Sequence, residues 1–220
     1  MNIKNIFKLL TQKKIFFLLI TILLNFTSCL IVKEADEIIK KEKEATIIYE
    51  SAPQATVKMS DKTVRSIRGD MIASLPEGWF FIEQSGGISS EVFTVAVNPD
   101  YTMSAIFSHI KKTSELTDIV NKEGLIGLSR MSFNRHNTKS TGGINLVDSY
   151  KILNFANQQF GFYTFVNPQN NTYGSSVVFI SSINEYYQFS LVTMNFTNND
   201  LPTRIEFDRI FNSILATLKY

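Results

Sequence analysis

The C-terminal segment carries the pattern that most restricts the fold. Thr203 and Glu206 have the spacing of a capping box, which predicts that a helix begins just after Thr203. Lys219 lies near the favourable end of the helix dipole. A helix with a single apolar stripe must bury that stripe against another element of the fold. The stripe follows helical spacing and consists of Phe207, Ile210, Phe211, Ile214, Leu215 and Leu218.

Segments typical of β-strands supply the surface that such a helix needs. Residues 91–97 and 101–110 flank Asn98-Pro99-Asp100, which is typical of a hairpin turn. The aromatic run 79–82 is predicted to form a further strand. Short connections make neighbouring strands antiparallel. Four more strands, joined by short turns, are predicted at 144–155, 159–166, 175–183 and 186–194.

A second helix is predicted between the two groups of strands. Ser114 can cap this helix, and its apolar stripe continues to about Phe133. Gly124 and Gly127 weaken the helix but permit a close approach to a sheet. The order of strands, helix, strands and helix predicts an α+β fold, in which two main helices pack on an antiparallel sheet.

This arrangement resembles the PsbP-like and DcrB-like domains. The residues that carry the resemblance are Leu75-Pro76-Glu77-Gly78-Trp79, the hairpin, the central helix and the final helix with Phe207-Asp208-Arg209-Ile210-Phe211-Asn212-Ser213-Ile214. The resemblance spans nearly the whole predicted domain. It implies an α/β sandwich that is used mainly by small extracytoplasmic accessory proteins, which steady or regulate larger assemblies.

The N-terminal segment predicts export from the cytoplasm. Lys13 and Lys14 precede the apolar run 15–24, and no acidic residue occurs before Cys29. A basic start followed by a short apolar core is typical of a secretory signal peptide. The apolar run is too short for a transmembrane helix, which needs roughly 20 apolar residues.

The sequence Phe26-Thr27-Ser28-Cys29 resembles the lipobox of bacterial lipoproteins, in particular those of spirochaetes. Thr27 and Ser28 occupy the two small positions, and Phe26 stands where leucine is usual. The resemblance implies lipidation of Cys29 and stable attachment to a membrane through two or three acyl chains. Leu30 follows the cysteine instead of an aspartate, which favours the outer membrane. An uncleaved anchor and a soluble secreted form are the alternatives.

The charge and cysteine content exclude several classes of function. Residues 1–28 hold four of the 22 basic residues and no acidic one, so the remaining chain carries 18 basic and 20 acidic residues. A nucleic-acid-binding protein would carry a basic field, and we therefore expect no nucleic-acid partner. Cys29 is the only cysteine. Once it is acylated, no thiol remains for a disulfide, for catalysis or for a metal.

These features divide the chain into three regions. We predict a signal peptide at 1–28, a charged tether at 29–60 and a single α+β domain at 61–220. Mixed charge is densest at 33–44, where low hydrophobicity disfavours independent folding. Charges there are also spaced to pair on a helix, so the tether is expected to be a coil or a frayed helix.

No pattern in the sequence predicts catalysis. The nucleophile elbow and the phosphate-binding loop are both missing from the sequence. We expect His109 to be a packed or rim residue of its strand and His136 to lie on a solvated surface beyond the central helix. Two separated histidines without cysteine do not predict a metal site. The chain is therefore expected to have no enzymatic activity, no metal and no cofactor.

Trp79 and Tyr173 are the candidate residues for contact with a protein partner. Trp79 is the only tryptophan, and tryptophan is enriched at interface hot spots. Packing in the core is the alternative for its ring. Tyr173 ends a polar loop that is predicted at 167–173.

Taken together, the sequence predicts a lipid-anchored lipoprotein of the bacterial cell envelope. The outer membrane is favoured, with the domain at the periplasmic face or at the cell surface. The domain is expected to be a non-catalytic binding or assembly module for an unidentified protein. The alternatives are a surface-exposed adhesin for a host molecule and a lipoprotein that binds a small ligand or a metal.

Overall fold

The structure is a computed structural model that describes residues 46–49, 52–83, 90–155, 157–195 and 200–220. The predicted signal peptide and Cys29 lie outside these residues. Within them the strands are β1 (Thr46–Tyr49), β2 (Met59–Arg65), β3 (Ile72–Pro76), β4 (Phe80–Phe81), β5 (Val92–Val97), β6 (Met103–Ile110), β7 (Asn145–Leu146), β8 (Lys151–Phe155), β9 (Gln158–Asn167), β10 (Thr172–Ile180) and β11 (Tyr186–Thr193). The helices are α1 (Ser114–Lys139), between β6 and β7, and α2 (Arg204–Thr217), after β11.

One large sheet forms the centre of the domain. Its strands lie in the order β1-β8-β9-β10-β11-β6-β5-β4, and β7 also pairs with β9. All of these pairs are antiparallel except β1 with β8, which is parallel. β2 and β3 form a separate antiparallel pair. The predicted fold class, an antiparallel sheet packed by two main helices, is confirmed.

The two faces of the sheet receive different helices. Successive residues of a strand point to opposite faces, and β6 follows this rule: Phe107 joins the main core, whereas Ile106 and Ser108 line the other face. In β11, Phe189 and Gln188 divide in the same way. α2 packs with β3 over the first face, and α1 lies over β8, β9 and β10 on the second.

The main core lies between the sheet and α2. Phe211 stacks on Phe189 with ring centroids 5.3 Å apart, and Phe189 stacks on Phe107 at 4.9 Å. The Thr203 hydroxyl accepts a hydrogen bond from the backbone N–H of Glu206 at 3.3 Å, which confirms the predicted cap. The whole predicted stripe is buried: Phe207, Ile210, Phe211, Ile214, Leu215 and Leu218.

α1 begins where the sequence predicts but ends later. Thr113, rather than Ser114, is the cap, and its hydroxyl accepts a hydrogen bond from the backbone N–H of Leu116 at 3.1 Å. The helix continues to Lys139, beyond the predicted end at Phe133. Gly124 has φ 62° and ψ −143°, which is essentially a glycine-only conformation, and it kinks the helix.

Several strand assignments differ from the sequence prediction, and β10, predicted at 175–183, covers Thr172–Ile180. The segment 144–155, predicted as one strand, forms β7 and β8 with residues 147–150 between them. β1 lies inside the stretch 29–60 that was assigned to the tether, and it pairs with β8 at the edge of the sheet. Threonine, isoleucine and tyrosine favour strands, and the sequence of β1 consists only of these residues.

Gly161 of β9 sets how closely α1 approaches the sheet. A Cβ atom at this position would lie against Ser129 Oγ and 2.7 Å from the carbonyl oxygen of Leu125, both in α1. Real Cβ atoms do not approach backbone oxygens so closely. The helix therefore packs on the bare backbone of β9.

We expect Gly161→Ala to lower the free energy of unfolding by about 1–3 kcal/mol, because the added methyl group must push α1 away from β9. Urea unfolding of the full chain in a non-ionic detergent measures the loss. Ser129→Ala removes one of the two contacts, so the double variant should recover part of the loss. A wild-type midpoint for Gly161→Ala would contradict this packing.

Candidate functional site

Two turns meet at one end of the sheet. β6 and β10 end there, and β5 and β11 begin there. The turn of residues 66–71, between β2 and β3, and the turn of residues 181–185, between β10 and β11, lie side by side, since Arg68 and Glu185 form an ion pair. We call this region the turn end of the domain.

Asp70 fixes the turn of residues 66–71 to the sheet. Its Oδ1 accepts hydrogen bonds from Ser66 Oγ at 2.6 Å and from the Tyr187 hydroxyl at 2.7 Å. The backbone N–H of Ser66 also donates to the carbonyl of Met71 at 3.0 Å, and the Met71 side chain is buried in the core. The hydrogen bonds of Asp70 and the buried side chain of Met71 therefore both fix the turn.

The hydrogen bonds also set the ionisation of these groups. Burial alone would raise the pKa of Asp70, but the hydroxyls of Ser181, Ser66 and Tyr187 outweigh it and hold that pKa below 3.8, its usual value. Burial and the hydrogen bond to Asp70 raise the pKa of Tyr187 to about 12. Near neutral pH, Asp70 is an anion that accepts hydrogen bonds from neutral donors.

Glu185 joins the two turns to β6. Its two carboxylate oxygens lie 2.7 Å from Arg68 Nη1 and 2.7 Å from His109 Nε2. The hydrogen bond from His109, with Arg68 and Lys112 nearby, lowers the pKa of Glu185. The His109 ring also meets Tyr187 edge-on at 5.5 Å, so His109 is a packed rim residue.

These fixed turns carry exposed apolar side chains. Ile67 is 87% exposed and Ile183 is 52% exposed. Arg68 lies beside Ile67 and is itself 59% exposed. We call these three residues the turn-end patch. Because its backbone is already ordered, the patch would lose little conformational entropy on contact with a partner.

A separate cleft lies on the second face of the sheet, between α1 and the strands β5, β6 and β11. Its volume is about 180 Å³. Arg135 and Lys139 of α1 line one side, and both form ion pairs with Glu91, which precedes β5. Gln188 and Ser190 of β11 line the floor.

Buried hydroxyl and amide groups form a network below this cleft. Gln188 accepts a hydrogen bond from Ser132 Oγ at 2.7 Å and donates one to Ser190 Oγ at 2.8 Å. Ser132 also bonds to the Tyr163 hydroxyl at 2.9 Å, and Ser190 bonds to Ser176 at 2.7 Å. Burial raises the pKa of Tyr163, so its hydroxyl stays protonated.

The predicted position of His136 is wrong. The residue belongs to the last turns of α1, and its ring meets Phe165 at 4.5 Å. Burial, together with the charge of Lys139, lowers the pKa of His136 to about 4, so the ring is neutral near pH 7. Its Nδ1 is buried and has no hydrogen-bond partner among the described residues.

One solved structure supports the fold. The solution structure of cyanobacterial PsbP (CyanoP) from Synechocystis sp. PCC 6803 is similar with a TM-score of 0.52 and 14% identity, over 72% of this chain and 92% of that chain. The domain has a PsbP-like fold. The sequence identity is low enough that the likeness extends to the fold alone.

Two further structures are similar at lower scores. The crystal structure of the Saccharomyces cerevisiae Ran-binding protein Mog1p has a TM-score of 0.48 at 12% identity, over 73% of this chain and 95% of that chain. A crystal structure from Bacteroides thetaiotaomicron VPI-5482 has a TM-score of 0.34 at 16% identity, over 72% and 47% of the respective chains. No protein-family model and no curated protein sequence matches the chain.

In the PsbP-like domain, Trp79 is buried and Tyr173 is half-buried. Trp79 is 6% exposed and packs in the main core, which is the alternative left open by the sequence, so its ring presents no surface to a partner. Tyr173 is a residue of β10, because the loop predicted at 167–173 is limited to 168–171. Its hydroxyl donates to the carbonyl of Pro202 at 2.5 Å, and its ring packs on Phe207.

The turn-end patch has only a weak signal in the sequence, because residues 63–72 merely alternate weakly between apolar and polar types. The available signal was Gly69-Asp70, since glycine and aspartate are frequent in turns, and Gly69 does adopt φ 75°. The third predicted site residue, Cys29, lies outside the described residues.

Two other features bear on the type of site. Among the described residues, no three histidine, aspartate or glutamate side chains come together in a way that could hold a metal ion. In the same part of the chain, neither helix is long and apolar enough to cross a membrane.

We expect Asp70→Asn to reduce the loss of stability in acid. Since the folded state lowers the pKa of Asp70, its contribution to stability is full above pH 3.8 and disappears as the pH falls through the lower, folded-state pKa. Urea midpoints measured between about pH 5 and pH 2 should fall less steeply for Asp70→Asn than for the wild type. Asp61→Asn, at an exposed site in β2, is the matched control. Equal slopes for Asp70→Asn and the wild type would contradict this role.

Proposed function

We propose that the protein is a lipoprotein of the bacterial cell envelope, anchored through Cys29, whose PsbP-like domain is a non-catalytic binding module for another protein. The proposal favours the outer membrane. The turn-end patch is the observation that supports binding most directly, and the sequence of residues 13–29 supports the anchor. The fold supports the presence of a compact accessory domain and does not identify its partner.

The patch has the properties of a small protein-binding surface. Ile67 stands 87% exposed on a turn that Asp70 and Tyr187 hold in place, and Arg68 is positioned by Glu185. Arginine is enriched at interface hot spots and can pair with an acid, and the exposed apolar residue beside it is desolvated on contact. Lys112 adds a second cation near this end.

The turn also contains the tripeptide Arg68-Gly69-Asp70, and an accessible carboxylate is a ligand for a metal ion of a receptor. The geometry argues against that role. Asp70 Oδ2 is buried, and Oδ1 already accepts two hydrogen bonds. Asp70 holds the turn in shape, and the side chains left for contact are those of Ile67 and Arg68. This reduces the support for the adhesin alternative.

The anchor is tested by metabolic labelling. Cells that express the wild-type chain and are grown with radioactive palmitate should place label on the protein, because the thiol of Cys29 is the only one in the chain. Cys29→Ala should lose the label. Ser28→Ala keeps a small residue before the cysteine and is the control. Equal label in the wild type and in Cys29→Ala would overturn the lipoprotein proposal.

The patch is tested by crosslinking in the native membrane, followed by mass spectrometry of the partners. We expect Ile67→Asp to reduce recovery of the main partner by about tenfold or more, because a charge replaces the desolvated apolar contact. Ile205→Asp is the matched control, since Ile205 is 83% exposed and lies at the start of α2, away from the turn end. Undiminished recovery with Ile67→Asp, or equal losses with both variants, would contradict binding at the patch.

Protease treatment of intact cells separates the proposed role from a surface adhesin. A domain at the periplasmic face should survive treatment of intact cells and be degraded after the outer membrane is opened. Degradation in intact cells would place the domain at the cell surface and favour the adhesin.

A further inference from the structure

The cleft beside α1 is a built site that the protein-binding proposal does not use. α1 packs over β8, β9 and β10, so the strands β5, β6 and β11 are left partly open on the same face. The space between them has a volume of about 180 Å³. The cleft therefore suits a small molecule rather than a nucleotide or a peptide.

Charge at the rim of the cleft is arranged around a carboxylate. Glu91 forms ion pairs with both Arg135 and Lys139 of α1, and it is the acidic residue of the lining. Burial would raise the pKa of Glu91, but the charges and hydrogen bonds of Arg135 and Lys139 outweigh it and lower that pKa. Two cations and one anion leave the rim with a net positive charge. The carboxylate of Glu91 therefore occupies the position that the carboxylate of a ligand could take, beside Arg135 and Lys139.

The interior of the cleft combines apolar and polar surface. Ile106 and Ile110 of β6 provide the apolar part, and Ser108 and Gln188 provide hydroxyl and amide groups. His136 also lines the cleft, and its buried Nδ1 has no hydrogen-bond partner among the described residues. An inorganic anion would leave the apolar part uncovered, whereas an organic acid with a short aliphatic tail would cover it.

We propose that the cleft binds a small organic carboxylate with a short apolar tail, and that the carboxylate of the ligand replaces Glu91 between Arg135 and Lys139. The tail lies against Ile106 and Ile110. Glu91 is then an internal competitor that occupies the cations when no ligand is bound. The proposal is independent of the lipid anchor and of the turn-end patch.

Isovalerate is a suitable probe, and the two histidines of the chain report its binding. Full chain labelled with ¹³C-histidine, in a non-ionic detergent at pH 7, should show a saturable shift of the His136 ring signals when isovalerate is added. Isovaleramide has the same tail without the charge, and sulfate has the charge without the tail. Each should bind at least about tenfold more weakly, because an ion pair or an apolar contact is missing. Equal binding of either control compound would overturn the proposal.

Variants separate a ligand site from a structural ion cluster. Arg135→Gln should weaken isovalerate binding by about tenfold or more, whereas Glu91→Gln should tighten it several-fold, because the competing carboxylate is gone. Arg209→Gln removes an exposed arginine of α2 and should leave binding unchanged. If Arg135→Gln does not fold, Lys139→Gln replaces it, since the Lys139 side chain is 58% exposed. Unchanged or weaker binding by Glu91→Gln would overturn the competition between Glu91 and the ligand.

Discussion

The stack of Phe107, Phe189 and Phe211 is the contact on which the rest of the domain depends. It joins β6, β11 and α2, which are far apart in sequence, through ring contacts of 4.9 Å and 5.3 Å. An aromatic ring buries roughly 150–250 Å². Full burial of a phenylalanine side chain contributes about 1.5–3 kcal/mol of transfer free energy. This contact sets the position of α2. β3 packs on α2 and leads out of the turn of residues 66–71, so the position of that turn also depends on the stack.

The second face of the sheet is organised by hydrogen bonds rather than by a continuous apolar core. Its apolar residues form two smaller groups, one around Val178 and one around Tyr163, and the hydrogen-bond network of Gln188 lies beside them. A fully bonded polar network favours one arrangement of side chains, and it does not need to be sealed from water by a helix. α1 can therefore cover only part of this face. The cleft beside Arg135 follows from that incomplete cover.

The elements that the sequence predicts well are those with a single dominant signal. α2 has an apolar stripe and a cap at Thr203, and both are present as expected. α1 lacks such a stripe after Phe133, where the residues are polar, so its continuation through His136 to Lys139 had no hydrophobic signal. The predicted helix end near Phe133 places His136 on a solvated surface, whereas the additional residues of α1 bring its ring against Phe165. Long-range partners such as Glu91 with Arg135 have no local signal at all.

Residue type alone also fails to predict which side chains lie at the proposed binding surface. Trp79 was a natural candidate for contact because of its residue type, yet a tryptophan is also the largest ring that a core can use, and this one is buried. The exposed residue on which the proposed surface is centred is instead Ile67, whose residue type predicts burial. The hydrogen bond from the Tyr187 hydroxyl to Asp70 orders the turn, and the ordered turn holds the Ile67 side chain in solvent. A turn that had only to connect β2 and β3 would be equally well served by a polar residue at this position. Contact with another molecule would remove this apolar side chain from water, which is favourable for association.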